Sequence, residues 1–382
     1  TGTARLEAIA VALKSRQHAL GLTTRLNSRL IYPVSQLVVH LTGLSIPPNK
    51  ALVGDNAFAY TSGMYQDGVL RGRTEGEIID PYGGQEDLAT GRLRHVSDAF
   101  AEDPVRILRV ARFAARFARF GFRVAHGTNA LMRQMVESGE VDYLVPERVW
   151  KETSRALSEP SPERFFEVLR GCAALDRLFP EIACLFGVPQ PHRFHPEIDT
   201  GVHTMLVLQQ AARLSPLPEV RFAALVHDLG KGQTPHAMWP RHHGHEETGV
   251  ELVLQLCKRL KVPNSYRDLA VQVARYHGHF RRVSTELSAS TIVRTLEALD
   301  AFRRPDRFEH YLLACEADIR GRAGKEKDPV PQTGHFQRCL EAANAISVQH
   351  IRDAGYEGKA IGEELHRRRV NAVKQLLGEI RS

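Results

Sequence analysis

The amino-acid sequence predicts a mainly α-helical protein that starts with a degenerate or atypical α/β segment. Three observations lead to this fold class. Apolar residues recur at helical spacing through most of the chain after Glu75. Signals that start and stop helices agree with these stripes, as at Asp103-Pro104, where a helix begins, and at Gly121, where it ends. Strand patterns are nearly absent beyond Gly121, so we expect the last two thirds of the chain to be all-helical.

Length and composition narrow the class of protein. A chain of 382 residues with 43% hydrophobic and 25% charged residues is typical of a globular protein with two or more domains. The formal net charge of +7 fits a polyanionic partner such as nucleic acid, although solubility alone explains it equally well. Five scattered cysteines without a Cys-x-x-Cys pair indicate a reducing cytoplasm. We expect neither a membrane span nor a signal peptide.

Residues 1–74 differ in character from the rest of the chain. Their acidic residues are only Glu7, Asp55 and Asp67, against eight lysines and arginines, and their apolar periodicity is poor. From residue 75 onward, caps, stripes and turns agree with one another. Further along the chain, residues 80–84 predict a turn, residues 189–196 a linker and residues 328–334 a second loop.

The helix predicted over residues 103–120 carries two stripes. Arginines are spaced 3, 3, 4 and 3 residues apart, which places five guanidinium groups on one face: Arg106, Arg109, Arg112, Arg116 and Arg119. The predicted buried stripe consists of Val110, Phe113, Phe117 and Phe120. Arginine binds phosphate through two hydrogen bonds and can also contact base edges, so the face fits a nucleotide or an RNA backbone. A solvated basic face is the other interpretation of the same spacing.

Histidines and aspartates in the second half of the chain form a metal-ligand pattern. They lie in separate helix-like stretches, namely His203, His227-Asp228, His245, His277 and Asp318. A divalent metal needs imidazoles and carboxylates that converge from several elements. Any one of these histidines could instead satisfy a hydrogen bond between packed helices. Lys231 is placed to neutralise a phosphate, and we expect His242 and His243 to be loop residues.

Several long motifs follow one another along the chain. They are Ile-Ile-Asp-Pro-Tyr-Gly-Gly (78–84), Glu-Asp-Pro-Val-Arg-Ile-Leu-Arg (102–109), Pro-Glu-Arg-Val-Trp-Lys-Glu (146–152), Leu-Phe-Pro-Glu-Ile (178–182), His-Pro-Glu-Ile-Asp-Thr-Gly-Val-His (195–203) and His-Asp-Leu-Gly-Lys-Gly (227–232). With these motifs the chain resembles bacterial CCA-adding tRNA nucleotidyltransferases of the multifunctional branch, in which an HD phosphohydrolase domain follows the transferase. The resemblance covers roughly four fifths of the chain, starting near residue 75.

The resemblance implies four regions and their roles. These are an atypical or degenerate nucleotidyltransferase head (1–74), a neck and body that bind nucleotide and tRNA (75–190), an HD phosphohydrolase domain (197–298) and a helical tail (299–382). In the neck, the Glu-Asp-x-x-Arg motif would offer Asp103 and Arg106 to the base edge of CTP or ATP, with Arg109 on the same nucleotide. Arg112, Arg116 and Arg119 would then contact RNA.

For the HD domain, the resemblance implies a four-ligand metal set of His203, His227, Asp228 and Asp318. His227, Asp228 and Lys231 would be the catalytic residues, while His245 and His277 would contact phosphate or hold a second metal. The implied activities are CCA addition to tRNA, phosphatase, 2′-nucleotidase and 2′,3′-cyclic phosphodiesterase. Mg²⁺ would serve the transferase, and Ni²⁺, Mn²⁺ or Co²⁺ the HD site. The implied partners are tRNA, CTP and ATP, and a homodimer is left open.

The head motifs of that family are not found in residues 1–74. The family carries a Gly-Gly-x-Val-Arg-Asp loop, an Asp-x-Asp pair that holds two magnesium ions, and an Arg-Arg-Asp segment. Asp55 and Asp67 are twelve residues apart with nothing acidic between them, so they do not form such a pair. Either the head is degenerate, or these residues are out-of-frame or misassembled sequence. We therefore expect the hydrolase to function in this chain and the transferase to be inactive.

Two other functions are compatible with parts of the pattern. One is a tRNA-binding protein without catalysis, in which the HD site holds a metal but is silent. The other is an HD hydrolase that acts on free nucleotides and is unrelated to tRNA. The six metal-ligand positions argue against the first, and the Glu-Asp-x-x-Arg motif with its arginine face argues against the second.

Overall fold

The computed structural model describes residues 80–381 of the chain. The predicted α/β head over residues 1–74 lies outside these residues. The chain divides between Phe100 and Ala101 into two compact units. In the described part of the first unit, helix α1 (Gly84–Thr90) is followed by strand β1 (Arg92–Leu93). The predicted turn at residues 80–84 is present, because the Asp80 carboxylate accepts hydrogen bonds of 2.7 Å from the backbone N–H groups of Gly84 and Gln85.

The second unit is almost entirely helical, which confirms the predicted fold class for the described residues. Besides the short strand β2 (Arg123–Val124), it contains the helices α2 (Val105–Phe117), α3 (His126–Glu137), α4 (Pro146–Leu157), α5 (Glu163–Gly171), α6 (Ala174–Leu178), α7 (Pro180–Ala183), α8 (Thr200–Leu214), α9 (Pro218–Leu225), α10 (His245–Leu260), α11 (Asn264–Arg282), α12 (Ala289–Ala298), α13 (Pro305–Arg320), α14 (Pro331–Asn344), α15 (Val348–Asp353) and α16 (Lys359–Arg381). Short 3₁₀ turns lie at Asp98–Glu102, Ala118–Phe120, Glu140–Tyr143, Leu229–Gln233 and His236–Met238.

Helix α2 begins at Val105, with Pro104 at its N-cap, one residue later than the Asp103 cap predicts, and it ends before the predicted glycine. The Asp103 carboxylate accepts a hydrogen bond of 3.1 Å from the backbone N–H of Val105, which satisfies one of the free N–H groups at the start of the helix. The helix tightens into a 3₁₀ turn and stops at Gly121, whose φ of 82° lies in the left-handed region that glycine adopts without strain.

The buried stripe of α2 differs from the predicted one. Val110, Phe113 and Phe117 are only partly buried, and Phe120 is 61% exposed. The fully covered residues are instead Val105, Ile107, Leu108, Ala111, Ala114 and Ala115. This face packs against α4 and α5, and its alanines let the helix axes approach closely. Two apolar stripes therefore run side by side on α2, one aromatic and one rich in alanine. The prediction that the stripe with the larger side chains is buried is wrong.

Four helices, α8, α9, α11 and α13, pack on one another at the centre of the second unit, and α10 packs on α11. The 3₁₀ turn Leu229–Gln233 lies directly against α10. A Cβ atom on Gly230 would lie 2.0 Å from the His245 carbonyl oxygen, so this close approach requires glycine. The packing brings the end of α9 and the start of α10 together.

The neck region is joined to this helical centre by buried contacts. The indole ring of Trp150 on α4 lies edge-on to Phe222 at 5.4 Å and to Tyr266 at 5.0 Å between ring centroids. The Arg221 guanidinium, on α9, donates to the carbonyl oxygens of Leu157 at 2.7 Å and Glu159 at 2.9 Å. These bonds satisfy the buried guanidinium group. They also satisfy carbonyl groups at the C-terminal end of α4, which have no partner within the helix.

The linker predicted over residues 189–196 is instead anchored to the fold by two buried residues, although His192, Arg193, Phe194 and Pro196 are exposed. Gln190 and His195 are buried, and Pro189 forms an antiparallel bridge with Asp199. The Asp199 carboxylate caps α8 by accepting a hydrogen bond from the Val202 N–H at 2.8 Å. Proline content marked this segment correctly as irregular, but irregular backbone can still be buried when its polar groups are satisfied.

All five cysteines lie among the described residues and are free thiols, which agrees with the expected absence of a disulfide framework. No helix between residues 80 and 381 combines the length and apolar character that a membrane crossing requires.

Candidate metal centre and nucleotide-recognition face

The structure brings the six predicted metal ligands together in the helical centre. His203 lies on α8, His227-Asp228 follow the end of α9, His245 opens α10, His277 lies on α11, and Asp318 lies near the end of α13. Five of them are at most 2% exposed, and His245 is partly buried. Side chains from five separate elements therefore meet in one buried cluster.

The ligand atoms form two adjoining groups. In the first, the Asp318 Oδ1 atom lies 3.2 Å from His203 Nε2 and 3.7 Å from His227 Nε2. In the second, the Asp228 Oδ1 atom lies 3.4 Å from His245 Nε2 and 3.5 Å from His277 Nε2. The other Asp228 oxygen, Oδ2, lies 3.1 Å from His227 Nε2 and so connects the two groups. Within each group all ligand atoms lie within 4.8 Å of one another, as a shared cation requires.

Hydrogen bonds at the far side of three rings set their tautomers. The Nδ1 atom of His227 donates to the Ala224 carbonyl oxygen at 2.7 Å, and that of His245 to the His242 carbonyl oxygen at 2.6 Å. The His277 Nδ1 atom donates to the carbonyl oxygens of Val273 and Ala274, both at 3.1 Å. A neutral ring that donates through Nδ1 presents a lone pair at Nε2. In their neutral form, the three rings therefore direct these lone pairs into the cluster.

A carboxylate that the sequence analysis missed orients the fourth ring. The Glu197 Oε1 atom lies 2.9 Å from His203 Nδ1 and 3.0 Å from His195 Nδ1, with all three side chains almost fully buried. Its second oxygen accepts a hydrogen bond from the Ala323 N–H at 3.2 Å. A carboxylate behind a ligating imidazole fixes the ring and makes it a better ligand. The tripeptide His195-Pro196-Glu197, at the start of the motif over residues 195–203, was the available signal.

The geometry of the cluster alone indicates that it fits a divalent cation. Three buried atoms in it have no hydrogen-bond partner, namely His227 Nε2, Asp228 Oδ1 and Asp318 Oδ2. Lone pairs of imidazole nitrogen and carboxylate oxygen face each other at 3.2 to 3.7 Å, which is repulsive unless a proton or a cation lies between them. Imidazole nitrogen with carboxylate oxygen is a donor set that suits first-row transition ions.

The electrostatics of the cluster also favour bound positive charge. Burial opposes ionisation of Asp228, but His227 and Lys231 outweigh it and hold the pKa of this carboxyl well below its usual value. Burial likewise opposes protonation of His245, but the Asp228 carboxylate raises the pKa of that ring. His277 is different, because burial lowers its pKa to about 3 and leaves the ring neutral.

Lys231, which was expected near a phosphate, forms an ion pair with the ligand candidate Asp228. The Lys231 ammonium lies 2.6 Å from Asp228 Oδ2 and donates to Gln190 Oε1 at 2.6 Å. It is 5% exposed. Of the two loop histidines, His243 is exposed, whereas His242 is buried and donates from Nε2 to the Pro189 carbonyl oxygen at 2.9 Å. His242 thus joins Pro189 to the start of α10.

In the neck, the residues expected at the nucleotide base lie at the start of α2. The Asp103 Oδ2 atom accepts a hydrogen bond of 2.8 Å from Arg148, a residue that the sequence analysis did not single out. Arg109 also interacts with Asp103: burial raises the pKa of this carboxyl, but Arg148 and Arg109 lower it overall. Arg106 lies 3.9 Å from Glu102, and its side chain is 35% exposed. Asp103 and Arg109 therefore lie together, with part of the hydrogen-bonding capacity of Asp103 already used.

The arginine face of α2 does not consist of five free guanidinium groups. Arg112 is held by Glu152 at 2.7 Å, and its side chain is 11% exposed. Arg116 lies 2.7 Å from Glu159 and is 48% exposed. Arg119 is exposed and stacks on the Phe120 ring at 4.6 Å. The expectation that Arg112 contacts RNA conflicts with this geometry, because a distant helix supplies the anion that its guanidinium binds.

Two protein families match segments of this chain, and neither match includes Asp103, Arg106 or Arg109. Residues 200–304 match the family described as HD domain. Residues 121–185 match the family described as probable RNA and SrmB-binding site of polymerase A. The first match spans the helices that carry all six ligand candidates except Asp318, which follows it.

Among solved structures, the chain is similar in fold to a CCA-adding enzyme in complex with ATP, with a TM-score of 0.52 and 19% identity. The match covers 80% of this chain and 64% of that one, so the chain spans somewhat less than two thirds of that structure. A Thermotoga maritima CCA-adding enzyme complexed with tRNA gives a TM-score of 0.51 and 19% identity, over 81% of this chain and 68% of that one.

Much closer in sequence are proteins named multifunctional CCA protein. That of Thioalkalivibrio sulfidiphilus is 62% identical over 304 residues, which are 80% of this chain and 74% of the relative. That of Nitrosococcus oceani is 60% identical over 301 residues, 79% of this chain and 73% of the relative. These relatives match about 80% of this chain, which is the same four fifths over which the motifs predict the resemblance. The chain therefore belongs to the multifunctional CCA protein family, which is a family of enzymes.

Proposed function

We propose that the second half of this chain is a metal-dependent phosphohydrolase that acts as phosphatase, 2′-nucleotidase and 2′,3′-cyclic phosphodiesterase. One observation carries the proposal: buried imidazole and carboxylate atoms converge, and three of them, on His227, Asp228 and Asp318, have no hydrogen-bond partner among the described residues. His203, His227, Asp228 and Asp318 would hold the ion, which would be a transition divalent metal such as Ni²⁺, Mn²⁺ or Co²⁺. When bound, such an ion acts as a Lewis acid that lowers the pKa of a coordinated water.

His245 and His277 extend the same site. Their Nε2 atoms are 3.3 Å apart, and both lie near Asp228 Oδ1. This spacing supports a second cation position over a direct phosphate contact, because both lone pairs and the carboxylate point at one another. The Lys231 ammonium holds Asp228 in place and adds fixed positive charge beside the reacting phosphate.

The proposed hydrolase function can be tested by measuring how the rate of hydrolysis depends on the divalent metal. We expect the purified chain to hydrolyse 2′,3′-cyclic nucleotides, to lose this activity after chelation, and to regain it when Ni²⁺, Mn²⁺ or Co²⁺ is added. Hydrolysis that is indifferent to the chelator would contradict the proposal. Metal binding without any hydrolysis would favour the alternative of a tRNA-binding protein with a silent HD site.

We further propose that the first half recognises the nucleotide and the tRNA that CCA addition uses. Asp103 would accept from the exocyclic amine of CTP or ATP, and Arg106 and Arg109 would donate to the ring nitrogen and oxygen atoms. Support comes from the contact of Asp103 with Arg148 and its interaction with Arg109, which together hold the carboxylate ionised. tRNA is the proposed partner, the cytoplasm is the proposed compartment, and Mg²⁺ is the ion that such a transferase would use.

Nucleotide transfer also needs clustered carboxylates that hold magnesium ions. Because residues 1–74 contain no Asp-x-Asp pair, we propose that the chain as printed recognises a nucleotide but does not transfer it. Labelled CTP and ATP should not be incorporated into tRNA that lacks its CCA end. Replacing residues 1–74 with a head that carries the family's motifs should restore incorporation. Incorporation by the unaltered chain would overturn this part of the proposal.

A further inference from the structure

Two arginines lie at the metal centre outside the set of ligands. Arg281 follows His277 by four residues on α11, so both project from the same side of that helix. Arg322 follows Asp318 by four residues and lies just beyond the end of α13. Both guanidinium groups interact electrostatically with Asp318, and Arg322 also interacts with Glu197 and Asp228.

The position of Arg322 is set by a close contact between helices. A Cβ atom on Gly321 would lie 2.5 Å from Val207 Cγ2 and 2.7 Å from Val207 Cα, so only glycine allows the end of α13 to approach α8 this closely. Helix α8 carries His203. The same contact therefore fixes Asp318, Arg322 and His203 relative to one another.

The hydrogen-bonding capacity of Arg322 is not used up within the described residues. Its Nε atom is buried and has no hydrogen-bond partner. Its neighbour Arg320 is different, because it donates to Glu316 Oε1 at 2.8 Å and to the Glu326 carbonyl oxygen at 3.1 Å. A buried, unsatisfied guanidinium N–H costs folding free energy unless a ligand accepts from it.

The charges around the centre point to an anionic ligand. Four carboxylates oppose three fixed cations there, the carboxylates being Glu197, Asp228, Glu246 and Asp318 and the cations Lys231, Arg281 and Arg322. One divalent ion therefore makes the centre net positive, and a second ion increases the surplus. Arg281 and Arg322 also repel each other, because each carries a charge that burial does not remove. A phosphate dianion would relieve both effects.

Resting on the proposed hydrolase function, we propose that Arg281 and Arg322 bind the terminal oxygens of the substrate phosphate and select phosphate monoesters over cyclic diesters. A monoester at neutral pH offers three terminal oxygens and nearly two negative charges. A 2′,3′-cyclic diester offers two such oxygens and one charge. If the bound ion takes one terminal oxygen, a monoester leaves one for each arginine, whereas a cyclic diester leaves a single oxygen for both.

The test uses the full chain loaded with Mn²⁺ and four alanine variants. Arg281→Ala and Arg322→Ala are compared with their neighbours Arg282→Ala and Arg320→Ala, which remove the same charge from side chains bonded to Gly278 and to Glu316. Calorimetry measures binding of inorganic phosphate, elemental analysis measures bound manganese, and kinetics compare a 2′-nucleotide with a 2′,3′-cyclic nucleotide. Loss of one charged hydrogen bond corresponds to about a tenfold change or more.

We expect Arg322→Ala and Arg281→Ala to weaken phosphate binding about tenfold or more with manganese content unchanged. Their kcat/KM should fall at least several-fold more for the monoester than for the cyclic diester, and the two control variants should resemble the wild type. Equal losses for both substrates, lost manganese, or control variants with the same defect would overturn the proposal. If Arg322→Ala does not fold, Arg322→Lys serves instead, with an intermediate loss expected. A wild type that binds manganese and phosphate but hydrolyses neither ester would overturn the proposed function and leave the anion site standing.

Discussion

Helix α2 and the metal centre both concentrate ionisable side chains, on one helix face and from five separate elements respectively, and the fold treats them in opposite ways. On α2, Arg112 and Arg116 meet Glu152 and Glu159, so most of their charge is compensated inside the protein. In the metal centre, imidazole and carboxylate lone pairs converge and remain without partners. Spacing alone predicts which side chains share a face. Whether that face is functional depends on what a distant element places opposite it.

The largest expected effect comes from removing the carboxylate that connects the two ligand groups. Asp228→Ala should lower the hydrolysis of 2′,3′-cyclic nucleotides by about a thousandfold or more, because loss of the metal removes several kcal/mol of transition-state stabilisation. The helical circular dichroism signal should be nearly unchanged. Glu251→Ala, which removes an exposed carboxylate from α10, is the control and should keep wild-type activity. A wild-type rate in the metal-loaded Asp228→Ala variant would show that the cluster is not the active site.

A smaller effect, on stability, should distinguish structural arginines from free ones. Among the residues that the structure describes, Arg112→Ala leaves the buried Glu152 carboxylate with the exposed Arg155, 3.5 Å away, as its ion-pair partner. We expect a loss of about 2–4 kcal/mol in the free energy of unfolding. Arg119→Ala removes an exposed side chain and should change it by less than about 0.5 kcal/mol. Urea unfolding measures both. Equal, small losses would mean that the ion pair with Glu152 contributes little.

The smallest effect concerns tRNA binding. We expect affinity to fall steeply as salt rises, since phosphate contacts release counterions. Arg119→Ala should reduce the slope of log K against log salt by about 1 if its guanidinium meets a phosphate. Arg112→Ala, measured under conditions where it is folded, should leave the slope unchanged. Affinity that is independent of salt would exclude an electrostatic mode of binding.

Sequence patterns predicted some parts of this molecule well and others poorly, for physical reasons. The caps of α2 depend on neighbours within four residues, so Asp103 and Gly121 could be identified from the sequence. The six ligand candidates lie in separate stretches whose residue types form a metal-ligand pattern, and the structure brings them together. Glu197 could not be assigned in the same way, because its partners His203 and Ala323 are fixed by the packing of α8 on α13.

The two wrong predictions, the linker over residues 189–196 and the buried stripe of α2, have the same physical cause. Residues 189–196 have the composition of a linker, yet Gln190 is buried where it meets Lys231, far along the chain. On α2, large aromatic side chains suggested the buried face, whereas close packing against α4 and α5 selected the face with alanines. In both cases the deciding contact joins segments that are distant in sequence, and no local pattern records it.

The most direct test of the central claim is to measure metal binding itself. Protein stripped with a chelator is titrated with Co²⁺, and the visible absorption of the ion reports coordination by nitrogen and oxygen ligands. We expect wild-type protein to bind at least one ion per chain, His227→Ala to lose the tightly bound ion, and His245→Ala to lose at most a second, weaker one. Wild-type protein that binds no stoichiometric Co²⁺, or a His227→Ala variant that binds it as the wild type does, would contradict the account.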